Sequence, residues 1–378
     1  MADTSPFLRR PANEAGPSSI SASGDARDGP WASLNTSSLW SLSTKVWTYT
    51  FGWFLQTAVY VLTLDHDVRY LFRKHCRTVW IDTPETGRCR LLLHYPRRRM
   101  TERSDASGVV VHFHGGGWAI CRPEMEYELA QRMADELGVL VISPDYRKAP
   151  CSCTSPLSRG ASRSTSIAQY PYPHALLQAH AVLMWIASGG LNGHPGNHHV
   201  DPTRIALTGS SAGGNLAASL TLLCIHRPLP NNAQIVGLGL NYPVLDAATP
   251  YVSKLSGIDA KIVLPPWFSR FILHAYLPPP RSVRDPYVSP FQAPREDLQR
   301  FPTTAIVTAS QDYLSTEGDA FARTLKECGV RVAHRRFEEV GHAFDLMPTL
   351  DWARRRRNKK ATEEAYDMFV QSFMDLLQ

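Results

Sequence analysis

The stretch Thr208-Gly209-Ser210-Ser211-Ala212-Gly213-Gly214-Asn215 limits what this chain can fold into more than any other. Residues Arg204 to Thr208 before it read as a short buried strand, and Leu216 to Ile225 after it as the apolar core of a helix. The turn therefore joins a strand to a helix. Gly209, Gly213 and the small Ala212 fit the pattern G-x-S-x-G, in which small neighbours let the backbone turn sharply and leave the central hydroxyl, here Ser211, exposed at the helix N-terminus. Negative charge forming there meets unpaired backbone N–H groups and the positive end of the helix dipole. A glycine-rich turn with a purely structural role could carry the same pentapeptide. The rest of the chain decides between them.

An activated serine needs a general base, an acid that orients the base, and donors for an oxyanion. Candidate donors stand in His114-Gly115-Gly116-Gly117-Trp118, which follows the strand-like run Val109-Val110-Val111-His112-Phe113. Consecutive glycines let the backbone bring its N–H groups close to a substrate oxygen. A glycine run alone is more often a turn. Paired with the serine motif about ninety residues later, the balance reverses. His112 and His114 fall on one face of the strand, and His194, His198 and His199 crowd a Gly/Pro loop, but neither group has a coherent ligand set, so no metal is expected.

Around these motifs the chain alternates. Strand-like runs at Arg88–Tyr95, Val139–Ile142, Ile235–Leu240, Thr304–Thr308 and Val330–Phe337 are interleaved with helical spacing at Glu124–Leu137, His174–Ala187, Glu317–Cys328 and Ala361–Leu377. Such alternation implies a mostly parallel sheet covered by helices on both faces. Residues 1–38 are polar and rich in Ser, Pro, Gly and Ala, which reads as a flexible tail with no cleavable signal peptide. Residues 39–80 read as an aromatic-rich helical segment. Within it, 46–64 hold no charged residue, and both a membrane anchor and a helix covering a site mouth fit. If it spans, Arg69, Arg73, Lys74 and Arg77 keep the rest on the cytosolic side. Residues 151–169 read as a surface insertion, and the Pro-rich stretch 248–290, with a helical piece over Ile258–Leu277, as a lid element.

The net charge of +6 is matched by one segment, Arg354-Arg355-Arg356-Arg357-Asn358-Lys359-Lys360, which carries six basic residues and no acid. The balanced remainder argues against a broad nucleic-acid surface. That run reads as a solvated loop leading into the last helix, in preference to a localisation signal or a phosphate-binding patch. Seven cysteines, an odd number without zinc-ligand spacing, suggest reduced thiols and an intracellular setting.

In five ordered motifs the chain resembles the hormone-sensitive-lipase-like branch of the α/β-hydrolases, the group of arylacetamide deacetylases and many microbial esterases. They are His112-Phe113-His114-Gly115-Gly116-Gly117-Trp118, Asp145-Tyr146-Arg147-Lys148-Ala149-Pro150, Tyr172-Pro173-His174-Ala175, the serine turn with Gly214-Asn215-Leu216, and Tyr242-Pro243-Val244-Leu245-Asp246. The resemblance covers roughly residues 88–378 and implies an α/β-hydrolase fold, a mostly parallel central sheet flanked by helices, with a helical cap. It also implies that Asp312, in Ser310-Gln311-Asp312-Tyr313-Leu314-Ser315-Thr316-Glu317, is the orienting acid, and that His342, in Val340-Gly341-His342-Ala343-Phe344, is the base. The order Ser211, Asp312, His342 is the one such folds use. Gly116, Gly117 and Ala212 would then supply oxyanion N–H groups, with Gly115 shaping the loop, and Asp145-Tyr146-Arg147 would brace it. Three departures stand out: Ser210 where relatives often carry an acid, Tyr313 in place of a proline, and Thr316 in place of a second acid. The expectation is a serine carboxylic-ester hydrolase acting on small or medium acyl esters of lipophilic molecules, with no cofactor. A dehydratase or acyltransferase on the same site is the alternative, and a small-molecule receptor the less favoured one, because receptors of this fold lack the histidine.

Overall fold

In the computed structural model the described residues are 42–71, 75–84, 86–97, 107–149, 170–192, 200–256, 258, 265–277 and 281–378. The expected tail 1–38, the insertion 151–169, residues 98–100 and the histidines 194, 198 and 199 lie outside them. Eight strands form one sheet: β1 (Cys76–Thr83), β2 (Gly87–His94), β3 (Ser107–Phe113), β4 (Leu140–Asp145), β5 (Val200–Ser210), β6 (Ile235–Asn241), β7 (Thr303–Ala309) and β8 (Val332–Phe337), in the order β1-β2-β4-β3-β5-β6-β7-β8. β1 and β2 run antiparallel to their neighbours, and the remaining pairs are parallel. Parallel strands are buried on both faces. Leu91–Leu93, Val109–Val111, Val141, Ile142 and Ile205–Leu207 are accordingly inaccessible to solvent.

Helices α1 (Leu42–Leu62), α2 (Leu64–Leu71), α3 (Tyr127–Leu137), α4 (His174–Ala187), α5 (Ala212–His226), α6 (Pro266–Tyr276), α7 (Arg295–Leu298), α8 (Ser315–Glu327) and α9 (Trp352–Leu377) complete the structure. The sheet divides the core: α4, α5 and α8 contribute to one cluster, while α3 and α9 pack on the other face around Val110, Ala206 and Val307. β4 lies on one side of β3 and β5 on the other, so successive crossovers diverge there. In open α/β sheets the crevice at the carboxyl ends of such strands is where ligands bind.

Three expectations are corrected. The sheet begins at Cys76, inside the segment 39–80 assigned to helix; β1 is an edge strand paired only with β2, and its outward residues Arg77, Thr78 and Asp82 hide the apolar signal. The lid helix is narrower than Ile258–Leu277 among the described residues, because Pro265 and Pro266 open α6, proline being tolerated only at a helix start. The basic run 354–360 is not a loop: it lies within α9, whose N-cap Asp351 accepts from the N–H groups of Ala353 and Arg354.

No helix among the described residues is long and apolar enough to cross a membrane. α1 instead lies over the carboxyl end of the sheet. Its buried Gln56 donates to the carbonyls of Ala119 (2.8 Å) and Ala149, and Arg122 reaches back to Thr63 Oγ1 (2.8 Å) and Thr63 O (2.6 Å) while stacking on Tyr60. Phe51 meets Trp267 and Phe271 of α6 edge-on. α1 and α6 thus form a joint cap. A Gln56→Leu substitution leaves two buried carbonyls short of a donor, a loss of about 1–3 kcal/mol. Hydrogen exchange should then accelerate about tenfold or more in 42–62 with the sheet unaffected; unchanged exchange in α1 would count against this docking.

Candidate active site

The backbone makes the site. Ser211 stands between β5 and α5 with φ +54° and ψ −117°, a conformation that a side-chain-bearing residue adopts only when its surroundings enforce it. They do: a Cβ on Gly209 would sit 2.2 Å from the Gly213 carbonyl oxygen, and one on Gly213 only 2.0 Å from that of Phe113. The Ser211 N–H is fixed by the Asn241 carbonyl (2.8 Å), and its carbonyl accepts from Val244 and Asn215. The turn presents the hydroxyl in a buried position, with 8% of the residue exposed.

His342 meets it there. Nε2 of the imidazole lies 3.0 Å from Ser211 Oγ, and Nδ1 lies 2.6 Å from Asp312 Oδ2. A carboxylate can only accept, so the ring proton sits on Nδ1 and the Nε2 lone pair faces the hydroxyl. Asp312 itself is pinned by the Leu314 N–H at 3.0 Å. Burial works against the charged imidazolium, but the Asp312 carboxylate, with smaller help from Asp345 and Glu317, outweighs it, and His342 is raised above its ordinary value. Asp345 accepts from the hydroxyls of Tyr242 (2.6 Å) and Tyr366 (3.0 Å) and from Asn241.

The glycine loop turns toward the same point. A Cβ built on Gly115 would be 3.4 Å from the Ser211 side chain. Gly116 and Gly117 have φ of +108° and +59°, which favour glycine, and the Gly116 carbonyl is tied back to the N–H groups of Ala119 and Ile120. Ala212 opens α5, where backbone N–H groups have no helical partner. The Gly115 N–H, by contrast, is committed to Glu126 Oε1 at 2.5 Å, so Gly115 contributes shape. Tyr146 donates to the His114 carbonyl (2.9 Å) and stacks on its ring, supporting the loop from below as expected. Burial lowers His114 to about 3, so it stays neutral.

Sequence reasoning missed Glu126. Its buried carboxylate receives His112 Nε2 (2.8 Å) and Ser210 Oγ (2.7 Å) as well as the Gly115 N–H. Burial alone would raise its pKa; the three donors bring it below the usual value. The acid that Ser210 lacks is therefore supplied from the start of α3. The missing acid at 210 was the only signal. Tyr313, the second departure, joins the acid loop to the cap through Ser269 Oγ at 2.8 Å, and Ile272 of α6 rests directly on Gly117. Among the described residues no group of three potential ligands gathers a metal: His112 is engaged by Glu126 and Thr208.

A sequence model of the alpha/beta hydrolase fold family matches residues 110–154 and 167–346. An arylesterase of Saccharolobus solfataricus is 30% identical over 239 residues, 63% of this chain and 68% of the relative. The carboxylesterase NlhH of Mycobacterium tuberculosis is 30% identical over 231 residues, 59% of this chain and 62% of the relative, so the match spans about two thirds of these proteins. Among solved structures, a thermophilic carboxylesterase from a metagenomic library superposes with a TM-score of 0.66 at 26% identity, over 86% of this chain and 98% of that one. Carboxyl esterase 2 of Tuber melanosporum gives 0.63 at 26% identity, over 80% and 87%. With its eight-stranded sheet, its strained serine turn and these relatives, the chain belongs to the alpha/beta hydrolase fold family, as a hydrolase of carboxylic esters.

Proposed function

We propose that the protein cleaves small or medium acyl esters of lipophilic molecules through an acyl-enzyme on Ser211. The observation that carries this reading is the continuous hydrogen-bonded line Ser211–His342–Asp312. Ser211 Oγ attacks the ester carbonyl while His342 Nε2 takes its proton; the carbonyl oxygen becomes an oxyanion facing the N–H groups of Gly116, Gly117 and Ala212. Collapse of the tetrahedral species expels the alcohol, which leaves with the proton from His342. Water, deprotonated by the same imidazole, then attacks the acyl group and releases the acid. Asp312 keeps the ring proton on Nδ1 and stabilises the imidazolium. The aromatic cap, with Phe51, Trp267, Phe268 and Phe271, supports a lipophilic substrate, since apolar walls repay the desolvation of an apolar acyl or alcohol group.

A p-nitrophenyl ester series on purified protein tests the reading. Short chains should be hydrolysed, and Ser211→Ala should lose at least about 10³-fold in turnover; equal rates for variant and parent would dismiss Ser211 as the nucleophile.

The pH profile follows from the base. His342 works only when neutral and is raised above 6.5, so kcat/KM should fall as pH drops through a midpoint above that value. Asp345→Asn keeps an acceptor for one of the two tyrosines and removes a charge that raises His342, so the acid limb should move to lower pH. A limb that stays fixed would assign Asp345 a packing role alone.

Glu126 is a positioning residue in this reading. Glu126→Gln removes the charge that holds His112, Ser210 and Gly115 together, and a displaced oxyanion loop should cost roughly 10²-fold in kcat with little change in KM. Ser210→Asp, which returns an acid to the serine turn, should recover part of it. Proportional losses in kcat and KM without recovery would mean general loosening of the fold.

A further inference from the structure

The basic run at the start of α9 has no use in the chemistry above, and its placement runs against local electrostatics. A helix N-terminus favours acids and repels cations, yet α9 has no acid in its first turn and places four arginines and two lysines between positions 354 and 360. Intramolecular pairing does little to relieve this. Arg357 reaches Glu339 at 3.5 Å and Lys360 reaches Glu364 at 3.9 Å, but among the described residues no ion pair reaches Arg355, Arg356 or Lys359. All three are exposed. Their spacing also places them on one face: Trp352, Arg355, Arg356 and Lys359 stand at i, i+3, i+4 and i+7, while Asn358, Ala361 and Ala365 turn inward.

The cationic face adjoins an apolar one. Trp352 is 76% exposed, Leu350 is entirely exposed and Met347 is 56% exposed, in the segment that leads from His342 into α9. Large apolar side chains beside unpaired cations are what an anionic bilayer surface accommodates: acyl chains take the first, headgroup phosphates and carboxylates the second, and tryptophan favours the boundary. A nucleic acid would use the cations and leave Leu350 and Met347 in water.

We propose that residues 347–360 dock the protein on an anionic lipid surface. The segment follows the carboxyl end of β8, and so lies at the sheet edge where Ser211 and the cap are also found. At that edge α1 turns Trp47, Trp53 and Phe54 to the outside. A docked enzyme would meet substrates dissolved in the bilayer. The docking itself does not depend on which ester is cleaved.

Sedimentation with phosphatidylcholine vesicles, with and without phosphatidylserine, tests it on the full chain. Wild-type protein should sediment with the phosphatidylserine vesicles and be released by salt. The triple variant Arg355→Gln, Arg356→Gln, Lys359→Gln should bind about 10²-fold more weakly, each cation near such a surface adding a few-fold. Leu350→Ser with Trp352→Ser should weaken binding to the same vesicles, and Arg355→Lys with Arg356→Lys should retain it. Both weakened variants should keep wild-type turnover of p-nitrophenyl acetate. Equal binding to neutral vesicles, or undiminished binding by the glutamine variant, would overturn the proposal; so would capture by duplex DNA or heparin with none by vesicles.

Discussion

A carboxylate without water must find donors, and Glu126 finds three from three different parts of the chain. The Gly115 N–H comes from the glycine loop, the Ser210 hydroxyl from the serine turn, and the His112 ring from β3 between them. Hydrogen bonds to a charged group are each about twice as strong as neutral ones. The serine turn and the glycine loop, nearly a hundred residues apart, are thereby held to a common buried point. Removing the charge leaves three buried donors aimed at one place, which is why a sequence that lacks an acid at 210 still needs one close by.

The two ends of the imidazole are treated differently for the same reason. Asp312 is buried, held by the Leu314 N–H and pressed against Nδ1, so the proton stays there and Nε2 remains a base. Asp345 acts from farther away. It satisfies Tyr242, Tyr366 and Asn241 and reaches His342 only through its field, raising the pH at which the imidazole becomes neutral. Asp312 thus sets the geometry and the larger part of the raised proton affinity, to which Asp345 adds through its field alone.

The serine turn, the glycine loop and the strand–helix alternation were legible because each is local: a strained φ needs small neighbours within two residues, and a buried strand must be apolar. Glu126 and Asp345 were not, because an acid at a helix start or after a histidine looks the same whether it faces solvent or a buried tyrosine. β1 was masked by the polar outer side of an edge strand. The arginine run misled for a sound reason, since its charges oppose the helix dipole. Packing of Ala361, Ala365, Phe369 and Phe373 against the sheet outweighs that repulsion and carries the helix back to Asp351.

The composition of α1 fits both a span and a cap because several of its largest apolar side chains face outward while polar ones are buried. Its buried stripe, Thr48, Gly52 and Gln56, is small and polar at a spacing of four, and its large apolar residues, Trp47, Trp53, Phe54, Val61 and Leu62, face outward. Small residues let a helix approach another backbone closely, and Gln56 uses that proximity to bond carbonyls just beyond the glycine loop and β4. A composition that could be read as a span is thus a cap fixed by polar contacts. Through Phe51 against Phe271, Ile272 against Gly117 and Ser269 against Tyr313, the cap is tied at once to the oxyanion loop and to the acid loop.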